Sequence, residues 1–245
     1  MGDRLAGRRA LITGAAGGIG GAIAQAFLDQ SAAVLGLDLA EGGPVPVLTA
    51  DLADPTALDH IVAAANDRLG GVDILVNCAG VSIPEPATAL RRASYDRTLQ
   101  VNLHSPVFLM SRLGAQMAER GYGRILNITS IHGRLSEPLS LAYDVSKGGL
   151  EAATRTVALE LAGSGVLVNA IAPGFVETPM SIVDGENELD SEWFQSIYVG
   201  HERLPIRRAA QPPEIAVHAV WLCSDENSYL TGQTITVDGG LSARF

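Results

Sequence analysis

Lysine is almost missing from this chain of 245 residues, which carries sixteen arginines and a single lysine, Lys147. A solvated surface accepts either cation, so a position that keeps lysine in such a chain needs a compact ammonium with three donors, not a planar guanidinium fork. Cysteine is scarce too. Cys78 and Cys223 stand far apart without partners at ligand spacing, which argues against a disulfide framework and predicts no metal site. Positive charge is in deficit, with 17 Lys and Arg against 27 Asp and Glu, and the formal net charge of −10 makes nucleic acid and anionic membrane poor partners. Long apolar runs are also lacking: residues 10–26, the most apolar stretch, are interrupted by five glycines, Thr13 and Gln25, and suit a membrane span badly. Residues 1–9 lack the apolar centre of a signal peptide, so a cytoplasmic protein is expected. No Pro/Ser-rich linker, charge run or low-complexity segment divides the chain, which predicts a single domain.

What is abundant is apolar residue and glycine, 47% and 27 residues, enough for a full core with many tight turns. Apolar strands at 9–13, 33–38, 45–51, 72–77, 124–130 and 166–171 alternate with helical stretches at 18–30, 55–69, 95–119 and 142–161. Asp54 before Pro55 reads as an N-cap with proline at the first helical position. Near-continuous apolar strands alternating with helices predict an α/β fold, a doubly wound parallel sheet of about seven strands covered on both faces. Ligands of such folds bind beyond the carboxyl ends of the strands.

Thr13-Gly14-Ala15-Ala16-Gly17-Gly18-Ile19-Gly20 lies where the first strand turns into the first helix. Gly14 permits the turn, Gly18 close approach of a pyrophosphate and Gly20 close packing, while the helix N-terminus around Ile19 attracts phosphate. Asp38 ends the second strand, where an acid accepts hydrogen bonds from an adenosine ribose and repels a 2′-phosphate; this favours NAD over NADP. Asp51 and Leu52, after the third strand, are candidates to meet the adenine. Tyr143 and Lys147, four apart, share one face of a helix, and a nearby cation favours phenolate, so the pair is a candidate proton-transfer group.

Taken in order, these motifs resemble the short-chain dehydrogenase/reductase family over nearly the whole chain. Thr13-Gly14 through Gly20 is similar to its T-G-x-x-x-G-x-G, Asn77-Cys78-Ala79-Gly80 to its N-N-A-G, and Tyr143 to Lys147 to its Y-x-x-x-K. Ser130, thirteen residues before Tyr143, matches the catalytic serine and Asn102 the helix-borne asparagine. Pro173-Gly174, with Val176 and Thr178, resembles a cofactor segment, and Val237-Asp238-Gly239-Gly240 the closing V-D-G-G. Cys78 departs from the motif and is expected to pack rather than react.

The resemblance implies a Rossmann-like single domain, with a cofactor half over about 1–130 and a catalytic and substrate half over about 130–245. It implies that Asn77, Ala79, Gly80, Pro173, Gly174, Val176 and Thr178 join the glycine turn in holding NAD, and that Tyr143 is the base. Lys147 would lower the tyrosine pKa and hold the nicotinamide ribose, Ser130 would bind the reacting oxygen, and Asn102 would position Lys147 through water. The small-molecule substrate is expected to be a secondary alcohol or ketone, most like a sugar, sugar acid or polyol, contacted by Ser130, His132, Arg134, Tyr143 and Gly174. Arg134 is expected to pair with a substrate carboxylate. Residues 180–205, acid-rich and then apolar, are expected to form a lid. A carrier-protein-dependent 3-oxoacyl reductase using NADPH and a non-catalytic nucleotide sensor are the alternatives. Broad apolar stripes on the helices at 95–119 and 142–161 predict a homotetramer or homodimer, with residues 241–245 reaching a neighbour.

Overall fold

The computed structural model describes residues 3–183 and 185–243. Asp184, expected in the lid, and Arg244 and Phe245, expected to reach a neighbouring subunit, lie outside the described residues. The elements follow in the order β1 (Arg9–Thr13), α1 (Gly18–Leu28), β2 (Ala33–Asp38), β3 (Val47–Thr49), α2 (Leu58–Leu69), β4 (Ile74–Asn77), α3 (Arg92–Leu99), α4 (Ser105–Arg120) and β5 (Gly123–Ile128). After these come α5 (Leu141–Leu161), β6 (Val166–Pro173), a hairpin of β7 (Ile182–Val183) and β8 (Glu186–Asn187), the short α6 (Glu192–Phe194), α7 (Pro212–Cys223) and β9 (Thr234–Val237).

The seven-stranded sheet has the order β3-β2-β1-β4-β5-β6-β9, and every neighbouring pair is parallel. Ile23, Phe27, Ile215 and Ala219, from α1 and α7, form the core on one face; Ile61, Leu109, Leu113 and Leu150, from α2, α4 and α5, form it on the other. This double cover explains why the strands are apolar on both sides. Burying a side chain such as Phe27 contributes about 1.5–3 kcal/mol.

Two elements depart from the sequence expectation. The third strand keeps only Val47–Thr49, and the helix expected at 95–119 is α3 and α4 joined by a π turn over Gln100–His104. The wider π turn carries Asn102, which is buried. Asp54 accepts from Thr56 N at 2.8 Å, as an N-cap should, although the first turn it caps is a 3-10 turn over Pro55–Ala57. The strand order reverses between β1 and β4, so the carboxyl ends of β1, β2, β4, β5 and β6 surround one cleft. Among the described residues no helix is long and apolar enough to cross a membrane.

Candidate active site

One half of the cleft has the makings of a dinucleotide cradle. The chain leaves β1 at Gly14, whose φ of 72° is open to glycine, and a Cβ on Gly20 would lie 2.1 Å from the Gly14 carbonyl oxygen. Only a glycine at 20 lets α1 start this close to the strand. The N-cap Gly17 supplies no side-chain cap and the first turn of α1 has no acid, so its orphan amides and dipole are open to an anion. Thr13 Oγ1 accepts from Cys78 N at 2.9 Å and Ala79 N at 3.0 Å, which ties the Asn77 to Gly80 turn against the glycine turn. The Asp38 carboxylate accepts from Ala16 N at 3.0 Å and Leu39 N at 2.7 Å, fixing it at the end of β2 beside that turn. These features fit a dinucleotide: unsatisfied amides for phosphate and an anchored carboxylate for a ribose.

Other expected cofactor residues lie around this cradle with their side chains otherwise engaged. Asp51 Oδ1 accepts from Ala53 N at 2.8 Å, and Leu52 buries its side chain while its carbonyl accepts from Ser105 Oγ at 2.7 Å. Asn77 Nδ2 donates to Asn127 Oδ1 at 2.8 Å, and Asn127 Nδ2 donates onward to Thr154 Oγ1 at 2.8 Å, binding β4, β5 and α5 together. Asp51 keeps its second carboxylate oxygen, and Asn77 Oδ1 is buried without a partner. After β6, Gly174 N donates to Val237 O at 3.0 Å, and Val176 is buried and bridges to Ala210. Thr178 comes back to the α1 N-terminus, where a Cβ on Gly18 would meet its Cβ at 3.5 Å. Burial pushes the Cys78 thiol up to about 12, in keeping with a packing role.

The catalytic candidates converge at the other end. Ser130 follows β5 in extended conformation, its Oγ accepting from His132 N at 3.2 Å, and it acts on the Tyr143 hydroxyl by lowering its pKa. Tyr143 and Lys147 share a face of α5, with the Lys147 Nζ 5.5 Å from the Tyr143 ring centroid. The Lys147 side chain runs under the cleft, 4% exposed, and donates to Ile128 O at 2.9 Å. Gly80 faces this lysine, for a Cβ there would stand 3.6 Å from Nζ.

Asn102 is held by the backbone beside the lysine: its Oδ1 accepts from Val81 N and its Nδ2 donates to Val81 O, each at 2.8 Å, with Ser146 Oγ at 3.1 Å as a further partner. It clamps the strand-end turn to α5 beside the lysine, because the π turn aims it at a backbone pair. Burial pushes Tyr143 up to about 12 against the pull of Ser130, and it pushes Lys147 down to about 8, because both charged forms lose solvent in this cleft.

The substrate candidates divide. His132 stands against Tyr143, ring centroids 5.5 Å apart and edge to face, and its Nδ1 lies 2.7 Å from Asp144 Oδ1. Arg134 Nε donates to Glu151 Oε2 at 3.0 Å; Glu151 is buried at 4% exposure while the arginine side chain stays half exposed. The segment expected as a lid has an apolar interior of Leu189, Phe194, Tyr198 and Leu204, packed with Phe175, while Glu186, Glu188, Asp190 and Glu192 face solvent. Tyr198 OH donates to Glu137 Oε1 at 2.8 Å, pinning this segment to the loop after β5. Thr13, Glu137, Ser146 and Tyr198 were not singled out as site residues by the sequence, although Thr13 opens the glycine motif; the other three have no motif to mark them.

A family model described as enoyl-(acyl carrier protein) reductase matches residues 14–242. Acetoacetyl-CoA reductase of Allochromatium vinosum is 34% identical, covering 96% of this chain and 98% of its own. Galactitol 2-dehydrogenase of Agrobacterium fabrum is 36% identical, covering 97% and 98%. A Beutenbergia cavernae structure ascribed to an NAD(P)-dependent gluconate 5-dehydrogenase, with NADP bound at low occupancy, superposes with a TM-score of 0.91 at 33% identity, covering 99% of each chain. The chain therefore belongs to the short-chain dehydrogenase/reductase family, oxidoreductases that act on alcohol and ketone groups.

Proposed function

We propose that this protein is an NAD-dependent dehydrogenase of a sugar, sugar acid or polyol, exchanging a hydride between a secondary alcohol and nicotinamide through Asn102, Ser130, Tyr143 and Lys147. The observation that carries this reading is a buried ammonium, the chain's one lysine, 5.5 Å from the ring of a tyrosine that Ser130 acts on. Bound nicotinamide supplies the hydride acceptor. Tyr143 takes the proton of the substrate hydroxyl, and Ser130 donates to the oxygen on which charge develops. Lys147 has spare donors beyond Ile128 O, which suit ribose hydroxyls, and a second positive charge in the cleft would draw the Tyr143 pKa down from its buried value. Asn102 keeps Val81 and Ser146, and with them the floor under Gly80, in place.

Asp38 supports NAD over NADP, since a fixed carboxylate repels a 2′-phosphate, while NADP in the Beutenbergia relative keeps the question experimental. The family also includes the Allochromatium acetoacetyl-CoA reductase, which favours a 3-oxoacyl reductase as the second reading. Phe108 on α4 and Val145 and Leu159 on α5 expose apolar side chains that suit a homodimer or homotetramer, and a cytoplasmic location fits the reading. The test is steady-state kinetics with NAD(H) and NADP(H) on polyols, sugar acids and 3-oxoacyl thioesters, run alongside Tyr143→Phe. We expect NAD-dependent oxidation of a carbohydrate, and loss of turnover in the variant with its fold retained. A tenfold preference for NADPH with an acyl thioester would replace this reading by the second, and near-native turnover in Tyr143→Phe would remove the assigned base.

A further inference from the structure

The walls of the cleft beside Tyr143 are acidic where a substrate must lie. The His132 Nδ1 is engaged by Asp144 at 2.7 Å, and its Nε2 stands 3.7 Å from Glu137 Oε2. The other Glu137 oxygen accepts the Tyr198 hydroxyl, so one carboxylate joins the loop after β5 to the lid segment. Tyr198 is not free to swing away. Its ring is wedged among Phe175, Phe194 and Trp193, with centroids 4.6, 5.1 and 5.4 Å away. Glu137 itself is 40% exposed, with Oε1 taken by Tyr198 and Oε2 beside His132, whose ring stands edge to face against Tyr143. The nearest arginine in sequence, Arg134, is paired with Glu151. Arg203, exposed in the segment that carries Tyr198, is near enough to act on that hydroxyl electrostatically.

We infer that Glu137, held between His132 and Tyr198, is a specificity residue that accepts hydroxyls of a neutral polyol or aldose and turns away sugar acids. The inference rests on the carbohydrate reading above and narrows it. A carboxylate acceptor makes charge-assisted hydrogen bonds with hydroxyls, which are the stronger kind. A substrate carboxylate entering the same space would meet Glu137 and Asp144 with no uncommitted cation between them, and like charges at such range repel by several times the thermal energy at a protein surface. The arrangement also lets the substrate report on the lid, because the residue that reads it is the residue that pins Tyr198.

The test compares the wild type, Glu137→Gln and Tyr198→Phe, following NADH formation from galactitol and sorbitol and from gluconate and galactonate. Glutamine keeps the shape and can still accept from Tyr198, but it removes the charge. The wild type should favour the neutral polyols, and Glu137→Gln should lower the polyol-to-acid ratio of kcat/KM about tenfold or more, chiefly through KM. Raised salt should lower the same ratio in the wild type and leave Glu137→Gln nearly unmoved. Tyr198→Phe should raise KM for polyols with kcat kept, since it loosens the carboxylate without touching the base. A wild type that prefers the sugar acids, or a ratio unchanged in Glu137→Gln, would overturn the inference while leaving a carbohydrate dehydrogenase standing. Loss of the acid preference in Arg203→Ala would then place the carboxylate there instead. A wild type inactive on all four with NAD would remove the inference together with the reading it rests on.

Discussion

Replacing Lys147 by methionine should make the cofactor-free protein more stable while abolishing turnover. The lysine is 4% exposed and burial brings its pKa from 10.5 down to about 8. That difference corresponds to about 3 kcal/mol of cost for holding the ammonium inside, at about 1.4 kcal/mol per unit. Below the folded pKa both the folded and the unfolded chain carry the proton, and the fold bears the whole cost. Between about pH 8 and 10.5 the unfolded chain keeps a proton that the folded chain has released, so stability rises with pH; above that window the cost is gone. Methionine removes the charge at similar length but strands the Ile128 carbonyl that Nζ now satisfies at 2.9 Å, which takes back about 1–2 kcal/mol. The net gain at pH 7 is therefore about 1–2 kcal/mol. Urea unfolding of cofactor-free wild type and Lys147→Met, at one protein concentration and at pH 7 and pH 10, measures it. The variant should lead at pH 7 and lose that lead by pH 10. A variant already less stable at pH 7, or a gap indifferent to pH, would mean that the ammonium is not costly where it sits, and the argument that function keeps it there would fall.

Three other outcomes follow from the geometry. Arg134→Ala strands the buried Glu151 carboxylate and should cost about 1–3 kcal/mol in chemical denaturation, discounted because the guanidinium is half exposed, without changing the ratio of polyol to sugar-acid turnover. Gly20→Ala drives a Cβ to 2.1 Å from a backbone oxygen and should destabilise by about 3 kcal/mol or more, whereas Gly17→Ala, with extended backbone and nothing within 4 Å, should stay within about 1 kcal/mol in the same assay. Asp38→Ala should move the NADPH-to-NADH preference in steady-state kinetics about tenfold or more toward NADPH, since about 1.4 kcal/mol of relieved repulsion suffices; an unmoved ratio would take Asp38 out of cofactor selection.

Much of the fold was legible because its signals are local. Apolar strands covered on both faces read as unbroken apolar runs, and the glycine turn with Asp38 at the next strand end has a spacing that chain geometry requires. The third strand is shorter than its apolar run because the register with β2 begins at Val47, although the Pro46 carbonyl still accepts from Gly36 N. The π turn at Gln100–His104 left no mark, since it differs from the α-helix by one residue in a turn and keeps the same apolar stripe. Side-chain commitments were the weakest reading. The pairing of Arg134 with Glu151, seventeen residues on, and the clamp of Asn102 on Val81 have no pattern along the chain.

By itself the sequence determined the doubly wound architecture, the dinucleotide turn and the convergence of Ser130, Tyr143 and Lys147. Each depends on spacing along one or two adjacent elements, or on matches to a family pattern. Only the tertiary structure decided which charges are spent and which remain. Whether Arg134 or Glu137 faces a substrate, and whether Lys147 acts from a dry or a wet site, depends on partners brought together from distant elements. Pairing and desolvation set the energy of a charge, and neither has a period along the chain.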